Sequence, residues 1–317
     1  MQAGPGTESH VDPAATSAGQ VPREAGLSYA RFVRDYLVPR RPVILEGALA
    51  DQPALKKWSP AFLKERFGSR PIVLADGTES TIGAYVDRIE SPELDPKRPP
   101  PLVRNQWLSQ LFPELVTDFQ TPSYFRPNWF DSRWLRPIVP KVWRPWVEFF
   151  LGPRGGRFPN VHVDLFATSA WSAQIYGAKK FWFWPPRAGQ GLGKLLVKVD
   201  RLREDWDQHL DGLHDHARPT TLVLEAGDTL FIPPGWWHTT EIVRTSITLS
   251  GNFVNDTNWE EYRRGLELHQ AQLPANTPLP NGDAKWTRWQ RLTQLTVLRA
   301  APYLVHDTVA RSRARST

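Results

Sequence analysis

Apolar and polar positions follow two different periods along this chain. Up to about residue 155 and beyond 256, apolar residues recur at helical spacing or in single short runs. Between 158 and 254 they fall into closely spaced strand-like segments. Residues 28–37 carry a helical stripe, with Ser28 placed to cap it. Pro42 to Gly47 reads as a buried strand stopped by glycine. Ser59 to Gly68 is a short helix with a Ser cap, Pro at its first position and Gly as its stop. Residues 71–75 form the next strand and 80–88 a further helix. Residues 93–101 are a Pro-rich connection. The stretch 122–145 is dense in Trp, Pro and Arg without a clear period, which predicts irregular structure packed by aromatics.

Strands are predicted at 159–165, 170–176, 179–184, 220–224, 229–232, 237–242 and 245–253. Turn signals stand at Gly177, Pro185-Pro186, Gly227-Asp228 and Pro233-Pro234-Gly235. So many short strands imply a sandwich or barrel. Helical spacing returns at 258–272 and 284–310, broken near Pro302. The expected fold class is mainly β with flanking helices. The expected division is a flexible segment 1–25, an α/β lead-in 26–155 packed on the core, a β core 156–255, and a helical region 256–317 with a basic tail.

Composition narrows the chemistry. The 317 residues suffice for one large domain or two small ones. Cysteine is absent, which excludes disulfides, a thiolate nucleophile and Cys-ligated zinc. Any metal must be held by His and carboxylate. No charged start leads into an apolar stretch, and no apolar run approaches the roughly 20 residues that span a bilayer. A cytoplasmic protein with no membrane partner is the expectation. Net charge is +6, part of it in the tail at Arg311, Arg313 and Arg315. That balance permits nucleic acid as a partner. No aromatic-basic motif of an RNA-binding module accompanies it, so a solvated tail is the simpler explanation.

The candidate chemistry lies in two segments. Asn160-Val161-His162-Val163-Asp164 places a His and an Asp two residues apart, on one face if the segment is a strand. Pro233-Pro234-Gly235-Trp236-Trp237-His238 is a turn that delivers a second His. Two imidazoles and one carboxylate on one face of a metal leave its other face open, as in non-haem Fe(II) oxygenases. Zinc would also suit such ligands plus water. His-x-Asp is a cheap pattern, and it also occurs at His10-Asp12 and His209-Asp211. Only His162-Asp164 sits among apolar strand formers followed by further strands. Downstream, Lys179 and Lys180 point to opposite faces of one strand, so one enters the interior while the other meets solvent. A Lys there, ahead of Phe181-Trp182-Phe183-Trp184, is costly unless an anion receives it.

From His162 through Lys179-Lys180 to Pro185-Pro186, the chain resembles the core of JmjC-type, cupin-like Fe(II)/2-oxoglutarate oxygenases. Gly227 to His238 and Thr245 to Phe253 resemble the segments that carry the second His and the last strand in that family. Within the family the likeness is greatest to the phosphatidylserine-receptor-like group of JmjC lysyl hydroxylases. It reaches back to Arg41–Gly47, Trp58 and Phe62–Gly68, and so covers about residues 28–255.

The resemblance implies a double-stranded β-helix, or jelly-roll, core with helical additions at both ends. It makes His162, Asp164 and His238 the iron ligands and Lys179 the partner of the distal carboxylate of 2-oxoglutarate. Ser250 falls where a hydroxyl assists that Lys, and Asn252 is a polar residue behind the ligands. Ser172 stands where the nearest relatives have an Asn that contacts the co-substrate. Pro159 and Val103 replace a Thr and a Tyr. The implied activity is hydroxylation of a C–H bond with O₂, coupled to decarboxylation of 2-oxoglutarate to succinate. The substrate would be a protein or peptide side chain or a small metabolite. A homodimer through the C-terminal helices is implied too, although their apolar spacing fits intramolecular packing equally well. The altered co-substrate positions leave a second reading, a non-catalytic metal-binding cupin-like interaction module. Trp171, Trp182, Trp184, Trp236 and Trp237 would serve as core or as walls that keep water from the site.

Overall fold

A computed structural model of the protein describes residues 20–131, 147–158, 160–188 and 219–272. Pro159, the His10-Asp12 and His209-Asp211 pairs, the 284–310 helices and the basic tail lie outside the described residues.

The lead-in forms largely as its caps predict. After β1 (Arg23–Ala25), Ser28 Oγ accepts the Arg31 amide and opens α1 (Tyr29–Phe32), which runs on in a wider helical turn to Leu37. β2 (Val43–Glu46) and α2 (Pro53–Lys57) follow. Ser59 caps α3 (Pro60–Phe67) by accepting the Phe62 amide at 3.1 Å. β3 (Pro71–Val73) and β4 (Glu79–Thr81) pair as a small hairpin, and Thr81 then caps α4 (Ile82–Ile89). β5 (Val103–Trp107) and α5 (Leu108–Leu111) lead to three-residue and six-residue 3₁₀ turns. β6 (Glu148–Gly152) precedes the core strands β7 (Ser169–Trp184), β8 (Thr220–Glu225), β9 (Thr229–Ile232) and β10 (Trp237–Phe253). α6 (Trp259–Gln272) closes the described chain.

Eight strands make one sheet in the order β1-β2-β9-β7-β10-β6-β5, with β8 added to β7. Only β1–β2 is parallel among the described pairings. This mostly antiparallel sheet with helices before and after it is the expected jelly-roll core with flanking helices. Strands from both sides of residue 155 share the sheet, and one apolar core joins them. Phe32, Trp58, Tyr85 and Phe112 from the helical lead-in pack with Phe149, Trp171, Phe231, Leu249 and Phe253 from the strands. No helix among the described residues is long and apolar enough to cross a membrane.

Four expectations differ from what forms. Arg23–Ala25 are an ordered edge strand, so a flexible segment through residue 25 does not hold for them. The Arg23 guanidinium fixes this edge by reaching Glu46 and Asp228, each at 2.6 Å. β5 and β6 have no counterpart among the predicted strands: β5 (Val-Arg-Asn-Gln-Trp) has too few apolar residues to show a period of two, and β6 directly follows the Trp/Pro/Arg-dense stretch. The predicted strand 159–165 is a single bridge between His162 and His238, followed by a 3₁₀ turn at Leu165–Ala167. Finally, 170–176 and 179–184 are one continuous strand, as are 237–242 and 245–253.

Gly177 explains the last difference. It does not end the strand; it has φ +72°, and a Cβ there would lie 1.9 Å from the Thr245 carbonyl oxygen. The two long strands cross closely at this point, with register shifts between Ile242 and Thr248. The bulge changes which residues face which side. Before it, Ala170 packs with the cluster of Phe181, Phe183 and Leu230, while Trp171, Ala173 and Ile175 face the main core. After it, the odd-numbered Phe181 and Phe183 occupy the face that Ala170 occupied before it.

Candidate metal centre

His238 is the second residue of β10, cross-strand from Phe183, and is 5% exposed. Its backbone exchanges two hydrogen bonds with His162, at 3.0 and 2.8 Å. That bridge brings the two imidazoles to a centroid separation of 4.3 Å. Phe158 stacks on His162 at 4.5 Å and Phe183 on His238 at 5.6 Å. Ligand atoms of His162, Asp164 and His238 all lie within 4.8 Å of one another. The sequence placed these residues together by strand alternation. The structure does it with one bridge and a turn.

The donor set fits a metal ion. His162 Nδ1 faces the Asn160 carbonyl at 3.3 Å and His238 Nδ1 faces the Trp236 carbonyl at 3.1 Å. A carbonyl only accepts, so each Nδ1 carries the proton and each Nε2 offers its lone pair. Burial, with the second imidazole beside it, pushes the His162 pKa down to about 3, so the ring is neutral at physiological pH. Asp164 Oδ1 accepts from Asn252 Nδ2 at 3.1 Å, while Oδ2 is buried without a hydrogen-bond partner. A buried carboxylate oxygen left so is costly unless a cation meets it.

Asn252 lies fourteen residues beyond His238 on the same strand. Fully extended, that segment would span roughly 46 Å. Both nevertheless meet at Asp164, so β10 curls around the site. Asn252 Nδ2 also donates to Thr168 Oγ1 at 3.0 Å, tying the loop to the strand at a second point.

Lys179 is the lysine that faces inward. It is 6% exposed, cross-strand from Ile242, with its ammonium 5.0 Å from the centre of the Phe150 ring. Burial pushes its pKa down to about 7, against the attraction of Glu148. Lys180 turns the other way and lies over Trp182 at 4.6 Å. The Ser250 hydroxyl donates to the Trp171 carbonyl at 2.8 Å, which leaves its lone pairs to accept. Ser172 is buried directly across from Ser250. Val103, in the position where a Tyr was expected, is fully buried in the main core.

Sequence reasoning missed Glu148, Arg104 and Phe158. Glu148 heads an apolar strand, and its carboxylate accepts the Asn105 amide at 2.6 Å. Burial raises its pKa, and Arg104 and Lys179 oppose the rise. Asn105 has φ +58° at a register shift in β5, which directs its neighbour Arg104 over Phe158 at 5.1 Å. A lone acidic residue opening Glu-Phe-Phe-Leu was the available signal. The tryptophans divide: Trp171 stacks on Phe119 and Phe125 in the main core, and Trp236 packs beside Phe183 and donates to the Arg40 carbonyl.

Residues 71–258, more than half of the chain, match the cupin-like domain family. The chain belongs to that family. Curated relatives of this cupin-like protein bear oxygenase and demethylase names. Lysine-specific demethylase JMJ21 of Arabidopsis thaliana is 26% identical over 76% of the chain and 26% of the relative. The 2-oxoglutarate and iron-dependent oxygenase JMJD4 of Homo sapiens is 27% identical over 78% of the chain and 64% of its own length. The bifunctional arginine demethylase and lysyl-hydroxylase psr-1 of Caenorhabditis briggsae is 25% identical over 77% and 65%. The cupin-like chain thus spans less than two thirds of each of these relatives.

Proposed function

We propose that this protein is an Fe(II)- and 2-oxoglutarate-dependent oxygenase that hydroxylates a C–H bond of a protein or peptide side chain. The observation that carries the proposal is the orphaned Asp164 Oδ2 beside two imidazoles, with a buried lysine on the same sheet as His238. Zinc fits the three donors equally; the buried lysine and the names of the relatives favour iron with a dicarboxylate co-substrate. Iron bound with 2-oxoglutarate supplies the oxidising power drawn from O₂.

The chain's own residues do the rest. His162, Asp164 and His238 hold the ion. Lys179 receives the distal carboxylate, and Asn252 fixes the rotamer of Asp164. Phe158 and Phe183, stacked on the two imidazoles, keep water from the ligands. Ser172 and Ser250 line the path between Asn252 and Lys179 along β7 and β10. A protein side chain is favoured over a metabolite because the relatives are named for lysine and arginine residues. A cytoplasmic location agrees with this substrate class.

Anaerobic addition of Fe(II) and 2-oxoglutarate is expected to give a weak visible charge-transfer band that His162→Ala abolishes. A panel of Lys- and Arg-containing peptides is then expected to yield a product heavier by one oxygen atom, formed only with 2-oxoglutarate. No band and no consumption of 2-oxoglutarate would sink the oxygenase reading.

A further inference from the structure

The loop that carries Asp164 has a backbone it would not adopt alone. Phe166 and Ala167, two and three residues after Asp164, have φ of +52° and +55°. Left-handed backbone is costly for both residue types, and two in succession persist only where the surroundings impose them. Those surroundings come from α6 and the turn before it. Asn258, 1% exposed, donates from Nδ2 to the Ala167 carbonyl at 3.1 Å, and its Oδ1 accepts the Asn255 amide at 2.9 Å. Seven residues on, a Cβ at Gly265 would lie 3.2 Å from Phe166 Cα and 3.3 Å from both Cβ and Cδ1. Tyr262, between them on α6, meets the Phe166 ring edge-on at 6.1 Å. Helix α6 therefore presses on the left-handed residue itself, not only on a side chain.

We infer that Gly265 and Asn258 are positioning residues for the metal ligand Asp164. Gly265 lets α6 approach closely enough to hold Phe166 left-handed, and Asn258 anchors the next carbonyl. Together they aim the Asp164 carboxylate at the two imidazoles from one side, while Asn252 holds it from the other. This inference rests on the metal-site reading above. It adds that the C-terminal helix, which carries none of the three ligands, sets the affinity for the ion.

The test is a titration with Mn(II), read as the free-ion electron paramagnetic resonance signal, with circular dichroism and thermal melting as controls on the fold. Wild-type protein binds Mn(II), and His162→Ala does not. Gly265→Ala raises helix propensity, so a merely structural role predicts an equal or higher melting temperature and unchanged Mn(II) affinity. The positioning role predicts weaker binding, by a few-fold for Gly265→Ala. For Gly265→Val and Asn258→Ala, which act on Asp164 through the loop backbone, the loss is larger and approaches the roughly tenfold seen when a hydrogen bond to a ligand itself is lost. Adding Phe166→Gly to Gly265→Ala removes the contacts at Cβ and Cδ1, leaves the one at Cα, and permits positive φ at no steric cost, so it restores much of the Mn(II) affinity. Wild-type affinity in a folded Gly265→Ala and Asn258→Ala overturns the inference while leaving the metal site standing. Failure of the wild type to bind Mn(II) in a His162-dependent way overturns the metal reading, and this inference with it.

Discussion

His238 and Lys179 sit in long antiparallel strands whose ladder fixes their backbones residue by residue. His162 and Asp164 sit in a segment with one backbone bridge and two left-handed residues. Half of the candidate site is thus held by main-chain hydrogen bonds and half by side chains: Asn252 on Asp164, Asn258 on Ala167, Phe158 on His162. A ladder holds position whatever the sequence, so the strand-borne half needs the right residue on the right face. The loop-borne half needs several specific amides besides. Substitutions behind the loop are therefore expected to loosen the ion without unfolding the protein, whereas the strand-borne half fails only when its own functional side chains are removed.

The largest effects test whether the halves meet at one ion. His162→Ala and His238→Ala are both expected to abolish metal binding, losing more than the roughly 10–100-fold that an outer hydrogen bond contributes. Retained stoichiometric binding in either variant would separate the halves.

Next comes the facing of β7. Lys179→Ala removes the buried partner of the co-substrate's distal carboxylate, which costs about 2 kcal/mol or more, a factor of roughly thirty in the 2-oxoglutarate requirement. Lys180→Ala, which loses a contact with Trp182, is expected to leave that requirement within about threefold. Equal effects would refute the bulge argument.

Behind the ligands the contrast is direct. Asn252→Ala is expected to weaken metal binding about tenfold with little change in melting temperature. Thr248→Val cuts a satisfied network with Gln174 and Ser246 inside the strand pair, at 3.1 Å to each. It is expected to cost about 1–2 kcal/mol of stability and leave metal affinity unchanged. The reverse pattern would show that strand and loop do not divide the work this way.

The most graded effect is in pH. Burial holds the Lys179 pKa down to about 7 in the free protein, so the ammonium that attracts a dicarboxylate is present below that pH and lost above it. The 2-oxoglutarate affinity of the Mn(II) form is expected to fall as pH rises from 7 to 8.5, by at most about tenfold per unit. Lys179→Arg, which stays charged, is expected to flatten the profile even if it binds more weakly. A wild-type profile flat across this range would remove Lys179 from the binding step.

Much of the molecule was legible in sequence where the determinants are local. Ser28 and Ser59 cap helices because a hydroxyl one turn ahead of an amide needs nothing from afar. The strands at 220–225 and 229–232 follow apolar runs bounded by turns. Strands 103–107 and 148–152 were not legible, since the first has too few apolar residues to show a period of two and the second directly follows the Trp/Pro/Arg-dense stretch. Asn258 and Gly265 read as ordinary helix residues, because their role appears only where the helix meets Phe166.

By itself the sequence determined the donor types, their order, and the pairing of lysines with opposite facing; the lack of cysteine already confined any metal to His and carboxylate. Strand alternation leaves open which lysine turns inward; the resemblance points to Lys179, and the tertiary structure supplies the physical reason. Side-chain parity along a strand is set by counting residues, and the count is broken at Gly177 by the Thr245 carbonyl, 68 positions away in the chain. The same holds for Asp164, whose direction comes from Asn252 and whose loop is held by α6. These are contacts between segments brought together by the curl of the sheet, and no short-range pattern encodes them.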